Sequence, residues 1–355
     1  MRPGLSKRRA RGGRAIKGFP RYPSGKADGV ALRQRSWLRP GEHAIVTGGS
    51  SGIGLATAAA LAERGAVVSL LARGPERLDA AAAGLRRRGA VAVHTAVADV
   101  TDRARVTRAI EGLVRVAGPC AVLVTSAGQS RPGRFLALPD EAFTELVEVD
   151  YLGTLWPIRA VVPQMVARGR GTVVTISSVA GLIGVPGYSA YAAAKFAVRG
   201  LSEVLRGELA PHRVRVACAF PPDVDTPQLA AERPSRPVET DAVSGTIAPL
   251  RPEVVAARIL AGVDRGRPVI CVDRIGGLLA RFGGVLAPLL RRFVDHRVGR
   301  ARRGEASGVR GSRRGAARRR GGAGGPGRPA RSPRVRRGER GPAGGPRRRT
   351  RRESV

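Results

Sequence analysis

Seven short apolar runs mark the chain, at residues 43–47, 67–72, 91–98, 121–125, 172–177, 214–220 and 269–272. They are dominated by Val, Ile, Leu and Ala, with little polar alternation, as expected of strands buried on both faces. Between them lie longer stretches in which Ala, Leu, Glu and Arg recur at helical spacing. Strands alternating with helices predict one α/β domain over residues 41–274. It is a doubly wound Rossmann domain whose seven-stranded parallel sheet carries ligand sites at the carboxyl ends of its strands.

The flanks are of a different character. Residues 1–40 hold twelve Lys and Arg against one acid, and residues 300–355 hold twenty Arg against three acids. These two ends carry most of the net charge of +36 on 355 residues. Both are rich in Gly, Arg and Pro, lack periodicity and bury too little apolar area to offset their ordering entropy, so both are predicted to be disordered basic tails. They would bind anionic lipid or nucleic acid non-specifically, with strong salt dependence. Residues 275–299 are apolar but interrupted by Arg281, Arg291 and Arg292. They predict a terminal amphipathic helix, packed on the domain or making a peripheral membrane contact through 275–298. No apolar signal-peptide core and no uncharged apolar stretch of membrane-spanning length is present, which points to a cytoplasmic protein. Cys120, Cys218 and Cys271 have neither metal nor redox spacing and read as core residues, and no metal site is expected.

The first apolar run leads directly into Gly48-Gly49-Ser50-Ser51-Gly52-Ile53-Gly54 and an Ala-rich helix. A glycine-rich strand–turn–helix of this kind lets backbone approach a pyrophosphate and aims free helix N–H groups at it. In dinucleotide folds the second strand commonly ends in an acid that holds a ribose hydroxyl. Here it ends Leu71-Ala72-Arg73, with Arg77 close behind. Guanidinium groups suit a 2′-phosphate through forked, charge-assisted bonds, so NADPH is expected rather than NADH, with Ser50 and Ser51 adding hydroxyl donors.

Tyr191 and Lys195 are four apart in a helical stretch and share one face. A phenol titrates near 10, and a neighbouring ammonium is expected to move it toward neutral pH, where it can act in proton transfer. Ser178 directly follows the fifth run, thirteen residues before Tyr191, where its hydroxyl can polarise a substrate carbonyl.

The T-G-x-x-x-G-I-G turn with the Ser178, Tyr191 and Lys195 set resembles the short-chain dehydrogenase/reductase family. The resemblance implies hydride transfer to a ketone. It places the adenine by Asp99 and Val100, and the ribose over Ser126, Ala127 and Gly128. It adds Ile53, Pro221 and Thr226 to the cofactor contacts, has Lys195 hold the nicotinamide ribose, and implies a homodimer or tetramer. Its fourth catalytic residue is an Asn, where this chain has Asp150. A finer resemblance rests on VDYLGTLWPIRAVVPQM, SSVAGLIGVPGYSAYAAAKFAVRGL and the string Pro221-Pro222-Asp223-Val224-Asp225-Thr226-Pro227 followed by Arg236-Pro237-Val238-Glu239-Thr240. These are similar to 3-ketodihydrosphingosine reductases, which implies a long-chain keto-lipid substrate. Asp223 or Asp225 would then face the lipid's ammonium or merely cap turns. Two alternatives stay open: reduction of another bulky apolar ketone of steroid, retinoid or polyketide type, and a catalytically silent protein that binds NADPH or nucleic acid.

Overall fold

The structure is a computed structural model and describes residues 37–245 and 248–321, with side chains described as far as residue 305. Seven strands form one parallel sheet: β1 (His43–Thr47), β2 (Val67–Ala72), β3 (Ala92–Val97), β4 (Cys120–Thr125), β5 (Gly171–Ile176), β6 (Val214–Phe220) and β7 (Val269–Cys271). Their order is β3-β2-β1-β4-β5-β6-β7, so the chain winds outward from β1 in one direction and then from β4 in the other. The switch between β1 and β4 opens a crevice at the carboxyl edge, where ligands bind in open sheets of this kind.

Nine α-helices connect the strands among the described residues and a tenth follows the last strand: α1 (Gly52–Ala62), α2 (Pro75–Arg87), α3 (Arg103–Ala117), α4 (Asp140–Leu146), α5 (Gly153–Arg168), α6 (Ser189–Leu209), α7 (Pro227–Glu232), α8 (Val238–Ser244), α9 (Pro252–Asp264) and finally α10 (Arg274–Gly321). Alternate strand residues serve opposite faces, as the pleat requires. Ala44 and Val46 pack with Leu61 of α1, Leu78 of α2 and Ile259 of α9. Ile45 between them packs with Ile110 of α3 and Val161 and Met165 of α5. With both faces covered, the central strands have no need of polar positions.

The predicted boundaries shift at both ends. Trp37 and Leu38 are buried in the core, and Trp37 Nε1 donates to Asp264 Oδ1 at 2.7 Å. The folded domain therefore starts inside the extension predicted over 1–40, because an indole and a leucine carry apolar area that the basic residues around them conceal. Residues 1–36 lie outside the described residues.

At the other end α10 continues to Gly321, so residues 300–321 are helical where composition predicted disorder. Arg and Ala are good helix formers, and no proline occurs between 300 and 321. Residues 322–355, where Gly and Pro crowd together, lie outside the described residues. The folded unit extends to Val298, and a separate unit begins at Gly299. No helix among the described residues is long and apolar enough to cross a membrane.

Candidate active site

A cavity of about 870 Å³ opens along the carboxyl edge of the sheet. It collects residues from the turn after β1, the ends of β2, β3, β4, β5 and β6, and the face of α6.

The turn after β1 is shaped for close approach. Gly48 sits at φ +65° and Gly52 at φ +53°, conformations that L side chains rarely adopt. A Cβ on Gly48 would come within 2.6 Å of the Ala127 backbone nitrogen. One on Gly54 would collide with the Gly48 carbonyl oxygen, so α1 packs against the turn without a side chain between them. Ser51 precedes α1 without capping it, and Ser50, Ser51, Gly52 and Ile53 all line the cavity. The open first turn of this eleven-residue helix supplies N–H groups for an anionic ligand.

Arg73 and Arg77 are exposed and line the rim beyond β2, with Arg73 Nη1 at 3.9 Å from Asp99 Oδ2. Asp99 also accepts from the backbone N–H and hydroxyl of Thr101, at 3.0 and 2.9 Å, which fixes its carboxylate. Val100, Ser126, Ala127 and Gly128 form the floor, and Pro221 and Thr226 close the far side. A glycine cradle, an open helix end and exposed guanidinium groups beside it match the shape and charge of a phosphorylated dinucleotide.

The candidate catalytic residues meet in the middle. Residues Val147–Leu152 form one wide π-turn between α4 and α5 and bring Asp150 inward. Such turns often occur at functional sites. Asp150 is fully buried, its Oδ1 accepting from the Gln129 backbone N–H at 3.0 Å and lying 3.3 Å from Lys195 Nζ. Its Oδ2 is buried without a hydrogen-bond partner. Lys195 also donates to the Ile176 carbonyl at 3.3 Å, and its Nζ lies 5.5 Å from the Tyr191 ring centre. Gly128 leaves room for this pair, since a Cβ there would approach Asp150 Oδ1 to 2.5 Å. Ser178 Oγ accepts from the Ala180 N–H at 3.1 Å, and its hydroxyl pulls the Tyr191 phenol down, against the larger effect of burial.

One electrostatic expectation is overturned. The Tyr191 phenol is pushed up, not down, first by burial and then by the charge of Asp150, with Glu232 and Asp223 adding to it. Lys195 does not offset this, because the carboxylate beside it balances its charge. Burial likewise pushes the Asp150 carboxyl up, with Lys195 opposing.

Every residue singled out for the cofactor except Gly54, whose role is packing, lines this one cavity, as do Ser178, Tyr191 and Lys195. Asp150 supports them from behind. Of the two aspartates left open, Asp223 lines the cavity, while Asp225 is exposed and outside it. Asp223 is paired with Arg236 at 2.7 Å. Sequence reasoning did not single out Tyr188, Glu232 or the cavity-facing residues of α10. The i, i+4 spacing of Glu232 and Arg236 was a readable signal for one of these.

A doubly wound sheet with this glycine turn and a Ser, Tyr and Lys meeting at its edge defines a class of nucleotide-dependent oxidoreductases. The short chain dehydrogenase family model matches residues 42–237, and the chain belongs to that family. Within it, the chain is 36% identical over 254 residues to a 3-ketodihydrosphingosine reductase of Mus musculus, covering 70% of this chain and 76% of that protein. It is 34% identical over 285 residues to one of Dictyostelium discoideum, covering 75% and 85%. A short-chain dehydrogenase from Sphingobium yanoikuyae, solved in complex with NADPH, superposes with a TM-score of 0.61 at 29% identity, over 70% of this chain and 95% of that one.

Proposed function

We propose that this chain uses NADPH to reduce a ketone to a secondary alcohol, and that the ketone is the 3-keto group of 3-ketodihydrosphingosine. The observation that carries the reading is the convergence of Ser178, Tyr191 and Lys195 on the cavity that also holds the glycine cradle and the two arginines. The two named reductases at 34–36% identity favour the sphingoid base over steroid, retinoid or polyketide ketones.

Arg73, Arg77, Ser50 and Ser51 would hold the 2′-phosphate end, and the turn from Gly48 to Gly54 the pyrophosphate. Asp99 and Val100 would flank the adenine. Ser126, Ala127, Gly128, Pro221 and Thr226 would seat the remainder, with Lys195 on the nicotinamide ribose. When bound, NADPH supplies the hydride. Ser178 donates to the carbonyl oxygen and holds it beside Tyr191. The phenol, kept neutral by burial and by Asp150, gives that oxygen its proton as charge develops there. The upward shift keeps the phenol protonated at neutral pH, the form that reduction needs, while making it a weaker acid than a free tyrosine.

The membrane contact belongs to this proposal. Leu278, Phe282, Val285 and Leu289 recur at helical spacing on α10 and are exposed. Arg281 stands among them and Arg292 follows, as on helices that rest at a headgroup boundary.

The test is NADPH oxidation by the purified chain with 3-ketodihydrosphingosine, with Tyr191→Phe as control. Turnover of a steroid, retinoid or polyketide ketone without turnover of this lipid would overturn the substrate assignment.

A further inference from the structure

Beyond Tyr191 the cavity has two chemically different ends. At the first, Asp223 and Glu232 converge on Arg236. Its Nη1 and Nη2 donate to the two oxygens of Asp223 at 2.7 and 3.1 Å, and its Nε donates to Glu232 Oε1 at 3.0 Å. Tyr188 donates to the same Oε1 at 2.8 Å, and its ring lies 5.4 Å from that of Tyr191.

The side chains of Glu232 and Arg236 are only 6% and 4% exposed, so this arrangement is held rigidly. Among the described residues, every hydrogen bond to the Glu232 carboxylate falls on Oε1, which leaves Oε2 for a ligand. Two carboxylates against one guanidinium leave one net negative charge in this wall. Asp241, 3.8 Å from Arg236 and exposed, adds to it, whereas Asp150 and Lys195 cancel. The field reaches the phenol, because Glu232 and Asp223 both hold Tyr191 up.

The second end is mostly apolar. Ile275, Leu279, Leu290 and Phe293 of α10 and Val243 of α8 line it, and Asp273, which caps the start of α10 by accepting from the Gly276 N–H, is the acid among them. Arg297 Nε donates to the Ala242 carbonyl at 2.8 Å and ties α10 to α8. A wall that passes from anionic to hydrocarbon has the polarity of a cationic amphiphile.

We propose that Glu232 and Asp223 recognise the ammonium group of the ketone bound beyond Tyr191, and that α10 seats its hydrocarbon chain. The inference rests on the reading of the site as a ketone reductase. It adds which feature of the ketone is recognised: a protonated amine close to the carbonyl, with an alkyl chain on the far side. Keto acids would be repelled by the same wall.

Three ketones test it in one NADPH-oxidation assay with the full chain: 3-ketodihydrosphingosine, its N-acetyl derivative, and a short-chain α-amino ketone. Acetylation removes the charge, and shortening removes the apolar area. We expect kcat/KM to fall about tenfold or more in each case, the scale of one well-placed ionic or apolar contact. E232Q, whose amide oxygen still accepts from Arg236 and Tyr188, brings the amine and its N-acetyl form within about threefold of each other, on the same scale. A purely steric penalty of the acetyl group would persist in that variant. Leu290→Trp, which fills the apolar end, lowers kcat/KM for the long chain and narrows its advantage over the short one. If the unsubstituted protein reduces the N-acetyl ketone as well as the free amine, the inference is overturned while the reductase reading stands. No turnover of any of the three overturns both.

Discussion

Lys195 Nζ stands 3.3 Å from Asp150 Oδ1, and both side chains are buried. The ammonium that would otherwise pull the Tyr191 phenol toward ionisation is thereby balanced. Burial and the carboxylate together hold the phenol protonated. Asp150 therefore helps to keep the phenol in its protonated form.

Replacing the carboxylate by its amide tests that relationship. Asp150→Asn removes a negative charge that holds the phenol up, so the phenol pKa falls. In reduction the neutral phenol is the active form, and the alkaline limb of kcat/KM against pH moves to lower pH. In alcohol oxidation the phenolate is the active form, and the acid limb moves the same way. A displacement of about one pH unit is expected, the scale of removing one nearby like charge. Matching profiles for the two proteins would show that Asp150 is only structural. Asp150→Ala, which leaves Lys195 buried without its partner, is expected to cost about 3–5 kcal/mol of stability in denaturant titrations.

Tyr191→Phe separates chemistry from binding. The phenyl ring keeps the packing against Tyr188 but has no proton to give. Ketone reduction is expected to fall about a hundredfold to ten-thousandfold, the range for loss of a positioned general acid. NADPH affinity, followed by the cofactor's fluorescence, should remain within a few-fold, because the glycine turn and the arginines are untouched. A comparable loss in both measurements would place Tyr191 in cofactor binding instead.

The parts of this site that were readable from the sequence are those built from consecutive residues. The turn from Gly48 to Gly54, the pair Tyr191 and Lys195 on one helix face, and all seven strands depend on local spacing. What was not readable depends on convergence. Glu232, Arg236 and Asp223 meet Tyr188 only because the segments after β6 and before α6 fold over the same opening. The upward shift of Tyr191 arises from burial, which spacing does not encode, and from a carboxylate 41 positions away in the chain. Over residues 300–321 the arginine-rich composition suggested disorder, although this part of α10, free of proline, sustains a helix.

Cofactor choice should follow the rim of β2. Arg73→Glu puts a carboxylate where the 2′-phosphate of NADPH would lie and where an NAD site usually carries one. Losing a charge-assisted bond is worth about 1.5–3 kcal/mol. kcat/KM with NADPH should therefore fall about tenfold to a hundredfold, while that with NADH stays level or rises. An equal loss with both cofactors would show that Arg73 does not read the phosphate. Arg77→Glu should act in the same direction and more weakly, since it stands one helical turn further along.

The start of the folded domain gives the last prediction. A chain trimmed to begin at residue 41, where the apolar pattern begins, would lose Trp37 and Leu38 from the core. It would also lose the 2.7 Å bond from the indole to Asp264, leaving that carboxylate to Arg64 alone. A chain trimmed to begin at residue 37 keeps all of these. Removing a buried aromatic side chain costs about 3–5 kcal/mol. The shorter chain should thus unfold at distinctly lower urea than the longer one, and Trp37→Ala in the full-length protein should reproduce most of the difference. Arg64 also packs over the indole, with its guanidinium carbon 5.6 Å from the ring centre, so Trp37→Phe should recover part of the packing but not the bond to Asp264. If the two trimmed chains unfold together, the indole adds nothing to the stability of the domain.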